Sequence, residues 1–78
     1  MDAALAALEA NSLAVAEKEA RASVAAALRS PVTHNVLGVV LDRQGRGDEA
    51  LAEFNTAIKL DPTFVSAHNN LGRLLAQR

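Results

Sequence analysis

The chain has 78 residues, half of them apolar, with a formal net charge of −1 and no Cys, Trp or Tyr. Without cysteine there is no disulfide framework, thiolate catalysis or cysteine-held zinc, and a reducing, cytoplasmic setting is the default expectation. The eight Lys and Arg are scattered instead of gathered on one face, so no nucleic-acid partner is expected.

Asp2 stands where a signal peptide would carry basic residues, and uncharged runs such as Pro31 to Leu41 fall short of the roughly 20 residues that a spanning helix needs. Neither a leader nor a membrane partner is expected. A chain this short hides only about 60% of its unfolded surface on folding, so each packed face matters.

Breakers fall at Asn11-Ser12, Ser30-Pro31, Gln44 to Gly47 and Asp61-Pro62. The stretches between them are rich in Ala, Leu, Glu and Arg, which favour helix, and none alternates like a strand. The expected class is all-α. The first stretch admits two readings: a short helix Asp2 to Ala10 with Leu5 and Leu8, followed by a turn at Asn11-Ser12 and a second helix, or one Ala-rich helix from Asp2 to Arg29. The turn and capping chemistry of Asn11-Ser12 favours two helices.

In Val32 to Arg43, His34, Leu37, Gly38 and Leu41 recur at i, i+3, i+4 and i+7, which places them on one helix face. Pro31 suits the first turn and Ser30 can cap it. Asp48 to Leu60 puts Ala50, Phe54, Ala57 and Ile58 on one face, with Asp48 at the N-terminus and Pro62 preventing continuation. The two form a helix hairpin turned by glycines.

At an offset of 34, Pro31 to Gln44 aligns with Val65 to Arg78, and five of the fourteen positions are identical. HNVLG thus returns as HNNLG. Glycine in a helix interior costs about 1 kcal/mol relative to alanine, so a glycine in both copies predicts a helix passing close to Gly38 and to Gly72.

The remaining motifs have plain explanations. His34 and His68 occupy equivalent places on the packing face, so both are expected in the core, with no metal and no cofactor. No serine sits with His and Asp in a nucleophile arrangement, and no enzymatic activity is expected. Arg46-Gly47-Asp48 spells an integrin-binding tripeptide, yet a turn that needs glycine and a helix that favours an acidic start explain its letters. Gln44 to Gly47 lacks the lysine and the preceding strand of a phosphate loop. Glu17 and Arg21 form an i, i+4 pair on a solvated face.

The pattern His34, Leu37-Gly38, Leu41, Ala50, Phe54, Ala57 and Pro62 resembles the tetratricopeptide repeat (TPR) family, whose period is 34 residues. RQGRGDEALAEFNTAIKLDP is similar to the family's turn and second helix almost throughout. Histidines replace the usual aromatic, and Leu41 and Leu75 replace the usual tyrosine. The resemblance implies a single unit: a complete repeat over 31–64, the first helix of the next or a capping helix over 65–78, and a degenerate repeat or Ala-rich helix over 1–30. In the degenerate-repeat reading, Glu19-Ala20, Val24 and Ala27-Leu28 belong to the second helix of a preceding repeat, with a connection about three residues shorter than the pattern expects. The fold implied is a short right-handed TPR solenoid of four or five antiparallel helices.

First helices of successive repeats line a groove in this family, which makes the open faces of two helices the expected protein- or peptide-binding site. On the first, that face carries Val32, Asn35, Val36, Val39, Asp42 and Arg43. On the second it carries Ser66, Asn69, Asn70, Arg73 and Gln77. Asn70 stands where family members often carry a peptide-binding asparagine, and Arg73 is placed to attract an acidic group. The lysine-rich carboxylate clamp of chaperone-tail adaptors is not matched, because Lys18 and Lys59 lie outside the groove. Alternative roles are a structural homo-oligomerisation element, or a non-catalytic part of a larger TPR-containing protein.

Overall fold

The computed structural model describes the backbone of residues 3–77 and the side chains of residues 12–77. It contains four helices: α1, Ala3–Ala26; α2, Pro31–Arg43; α3, Gly47–Leu60; and α4, Val65–Ala76. The described residues form no strand.

Helix α1 runs without interruption through Asn11 and Ser12, so the two-helix reading of the first stretch is corrected. At the offset of 34, Asn11 corresponds to Gly45 and Ser12 to Arg46. The α2–α3 turn reverses through Gly45 at φ +77°, a conformation that costs a side chain about 1–2 kcal/mol. Flanked by alanines and leucine, Asn11 stays helical instead.

Helix α2 starts on Pro31, with Ser30 extended at the N-cap position. The Ser30 side chain makes no capping bond, contrary to expectation. Thr33 Oγ1 instead donates to the carbonyls of Ser30 and Ala27, both at 3.0 Å, and ties the connection to the first turn. Asp48 and Glu49 lie in the first turn of α3, where the helix dipole favours negative charge. Pro62 follows the extended Asp61, whose Oδ1 accepts from the Thr63 amide and hydroxyl and fixes the turn into α4.

The core joins Ala20, Leu37, Val40, Leu41, Ala50, Phe54 and Leu74, with Ala16, Val24, Val39, Leu51 and Leu71 packed against it. Gly38 shows why this α2–α3 crossing needs glycine. A Cβ there would lie 2.5 Å from Phe54 Cε1 and 2.7 Å from Cδ1, so the ring occupies the place of a side chain. Gly72 does not repeat this: a Cβ there meets nothing within 4 Å, because no described helix crosses α4 as α3 crosses α2.

The 34-residue period extends upstream of the hairpin. Four residues, 27–30, join α1 to α2, and four, 61–64, join α3 to α4, so the first connection is not shortened. Their hydrogen bonds correspond one to one: the Ala27 amide to Ser23 O and the Asp61 amide to Ala57 O, the Ser30 amide to Ala27 O and the Phe64 amide to Asp61 O. The C-terminal half of α1, residues 13–26, therefore stands where α3 stands in the following unit. In order, the chain supplies the second helix of one repeat, a whole hairpin, and the first helix of the next.

Polar contacts fasten α1 to the hairpin turn. Gln44 Nε2 donates to Leu13 O (3.3 Å) and Glu17 Oε1 (3.2 Å), and Arg46 Nη1 donates to Glu17 Oε1 at 2.8 Å. Arg21 Nε reaches Glu17 Oε2 at 2.7 Å. Arg21 foremost, then Gln44 and Arg46, hold the Glu17 carboxyl below the usual carboxylate range. Arg46 also grips Glu49 through two bonds, of 3.1 and 2.7 Å. Its guanidinium is engaged inside the molecule, which fits a structural reading of the Arg-Gly-Asp letters.

Candidate functional site

Helices α2 and α4 are neighbours, and their equivalent positions form matching stripes. On α2, Val32 and Arg43 are exposed, Val36 is 47% exposed, and Val39 between them is half-buried against the core. The same wheel positions on α4 are Ser66, Asn70, Arg73 and Gln77, all exposed except the half-buried Asn70. Spacing of i, i+4, i+7 and i+11 puts each set along one side of its helix. An apolar stripe on α2 thus accompanies a polar one on α4.

Asn35 does not belong to the open stripe. It is buried, and its Oδ1 accepts from Asn70 Nδ2 at 3.0 Å. One residue before Val36, and so about 100° round the helix from it, Asn35 lies on the side toward α4 and is consumed in tying the two helices together. Asp42 is half-buried, whereas Asn69, the equivalent of Asn35, is exposed.

The bridge continues to Arg73, whose Nη2 donates to Asn70 Oδ1 at 3.1 Å. Both oxygens thus have donors, and Asn70 is held in one orientation beside the guanidinium. An arginine has five N–H donors. Arg73 has no carboxylate within ion-pair distance among the described residues, so its charge is available to an incoming acceptor.

The two histidines part company. His34 is buried, with Nε2 donating to Leu28 O at 2.7 Å and Nδ1 facing Glu53 Oε1 at 2.8 Å. Since both neighbours are acceptors, the arrangement is complete only with a proton on each ring nitrogen, or with the second proton on Glu53. His68 makes the matching bond, Nε2 to Pro62 O at 2.7 Å, but it is exposed, which corrects its expected place in the core. Its burial would need a helix equivalent to α3. The described residues include no group of three or more His, Cys, Asp or Glu able to hold a metal, and no helix long and apolar enough to cross a membrane.

Sequence reasoning missed the Asn35–Asn70 link and the Glu17–Gln44–Arg46 clamp. Both join residues about thirty positions apart, and no local signal marks them. The offset of 34 held one usable hint, since Asn35 and Asn70 differ by one residue more than the period and so lie on facing sides of successive helices.

These features define an all-α protein built of stacked helix hairpins with an open face along its first helices. A family model for the TPR repeat matches residues 38–77, just over half of the chain, and the chain belongs to the tetratricopeptide repeat family. Over 39 residues, 50% of this chain, it is 46% identical to the Arabidopsis thaliana protein named tetratricopeptide repeat domain-containing protein PYG7, chloroplastic. The match spans 13% of that relative's length. No solved structure gives a significant match. Repeats of this family generally mediate protein–protein interaction.

Proposed function

We propose that the chain is a non-catalytic interaction module that holds a peptide segment or helix of a partner protein across the open stripes of α2 and α4. The observation that carries this reading is the adjacency of an exposed valine stripe and the pre-oriented Asn70–Arg73 pair. Val32 and Val36 offer apolar contact, the side chain of Asn70 is fixed by its bridge, and Arg73 presents an unneutralised guanidinium. A bound segment would set apolar side chains against the valines and a carboxylate or backbone carbonyl against Arg73. Arg43 at the far end of the α2 stripe adds positive charge for the same acidic character.

Selection from a displayed library of random dodecapeptides tests this reading. Enriched sequences should combine apolar residues with Asp or Glu. Their affinity should fall at least tenfold on Val36→Asp and on the double change Asn70→Ala, Arg73→Ala, while Lys59→Ala on the exposed side of α3 leaves it unchanged. Peptides that bind the double variant as tightly as the parent would show that the site lies elsewhere.

A further inference from the structure

Helix α4 repeats α2, yet the side by which α2 receives α3 is left uncovered on α4 by the described residues. On α2 that side holds His34, Gly38 and Leu41, all buried. On α4 the equivalents are His68, exposed, Gly72, with open space above it, and Leu75, half exposed. Val65, 67% exposed, extends the same apolar edge.

Helix α1 shows the converse. The edge of α3 that faces α2 carries Ala50, Glu53 and Ala57, and the same edge of α1 carries Ala16, Glu19 and Ser23 at the offset of 34. Glu19 and Ser23 are exposed, and among the described residues α1 packs on α2, meeting α3 through the Arg21–Glu49 ion pair at 3.6 Å. Because α1 runs straight through Asn11-Ser12 instead of folding back, its N-terminal half does not lie over this edge. Among the described residues, α4 is thus a first helix with no second helix against it, and α1 a second helix with no first helix against its outer edge.

We propose that a second copy of this chain completes the repeat, its α1 edge docking head to tail on the uncovered side of α4 as α3 docks on α2. Glu19 of the second copy then meets His68 Nδ1 as Glu53 Oε1 meets His34 Nδ1 within the chain, at 2.8 Å. The histidine is already set for this. His34 and His68 each donate through Nε2 to the matching carbonyl, Leu28 O and Pro62 O, at 2.7 Å, which leaves Nδ1 of His68 turned toward the missing carboxylate. Neither His68 Nδ1 nor Glu19 has a hydrogen-bond partner among the described residues.

Val65 and Leu75 supply the apolar contact around this polar pair. Ala20, which holds the place of Phe54, is buried in its own chain's core and has no ring to reach Gly72, so the two backbones can approach closely there. The contact is heterologous: each copy uses α4 toward one neighbour and α1 toward the other, so the assembly lengthens the superhelix and extends the α2–α4 face through each junction. The docking edge and the Val36–Asn70–Arg73 stripe lie on different sides of α4, so each can be disabled separately.

Sedimentation velocity of the full chain from micromolar to millimolar concentration tests the proposal, together with two variants. One carries Glu19→Lys and Ser23→Lys, the other Gly72→Glu and Leu75→Glu, all at exposed positions. The parent chain should gain mass with concentration beyond the dimer, and each variant alone should lose at least tenfold in apparent association constant. An equimolar mixture of the variants retains one working edge of each kind and should stop at a heterodimer. Circular dichroism checks that both keep the parental helicity, and where one does not, Glu19→Lys or Leu75→Glu alone replaces it. A parent mass independent of concentration, association that persists in both variants, or a mixture that forms no heterodimer would each overturn the proposal. A monomeric parent would leave α4 to a helix of a different protein or of a longer chain.

Discussion

The two Leu-Gly pairs of this chain should respond in opposite directions to the same change. In Gly38→Ala the new Cβ would lie 2.5 Å from Phe54 Cε1, so the ring must retreat about 0.9 Å to reach an ordinary contact of 3.4 Å. Phe54 is fully buried, with other core side chains packed around it, and has nowhere to retreat. Overpacking of this kind costs about 1–3 kcal/mol, and three ring atoms within 3.1 Å put it at the upper end. Alanine returns about 1 kcal/mol of helix propensity, which leaves a net loss of about 2 kcal/mol. Gly72→Ala gains the same propensity with open space for its methyl, so it should stabilise the chain by about 0.5–1 kcal/mol. For a domain of this size the midpoints should move by about 8–16 °C downward and about 2–8 °C upward. Thermal and urea unfolding followed by circular dichroism at low micromolar concentration, where association is minimal, measures both. Equal shifts of the same sign would refute the claim that close approach of Phe54 separates the two glycines.

Two further outcomes follow from the polar contacts. Glu17 has a depressed folded pKa, so its contribution is present above the ordinary glutamate range and is lost as pH falls through the depressed value. The gap in urea midpoint between the parent chain and Glu17→Gln should therefore close below about pH 4, and a gap of constant size down to pH 3 would contradict this. His34→Ala strands the Glu53 carboxylate and the Leu28 carbonyl and should cost about 2–3 kcal/mol, whereas His68→Ala in the monomer should stay within about 0.5 kcal/mol. Equal losses in urea unfolding would count against the difference in burial.

Much of the fold was legible in sequence because the information is local. Helix-forming composition, Pro31 and Pro62 at helix boundaries, and Gly45 at the reversal act within one turn of where they stand. The face pattern of Ala50, Phe54 and Ala57 needs only the 3.6-residue period to be read, and all three are buried. Repetition at 34 then carried the reading from one hairpin to its neighbours, down to matched bonds in the two connections.

The same repetition misled wherever equal letters have unequal neighbours. His68, Gly72 and Leu75 copy His34, Gly38 and Leu41, but their burial depends on a helix across from them, and α4 has none there among the described residues. Asn35 has the letter of a groove residue, and its contact with Asn70 takes it out of the groove. At Asn11-Ser12 the turn letters lost to the helix propensity of the alanines on either side. Sequence alone therefore determined the period, the helices of the hairpin and the family, because those depend on a residue and its neighbours along the chain. Tertiary structure decided which copy of each repeated residue is core, bridge or open surface, because that depends on what packs across from it.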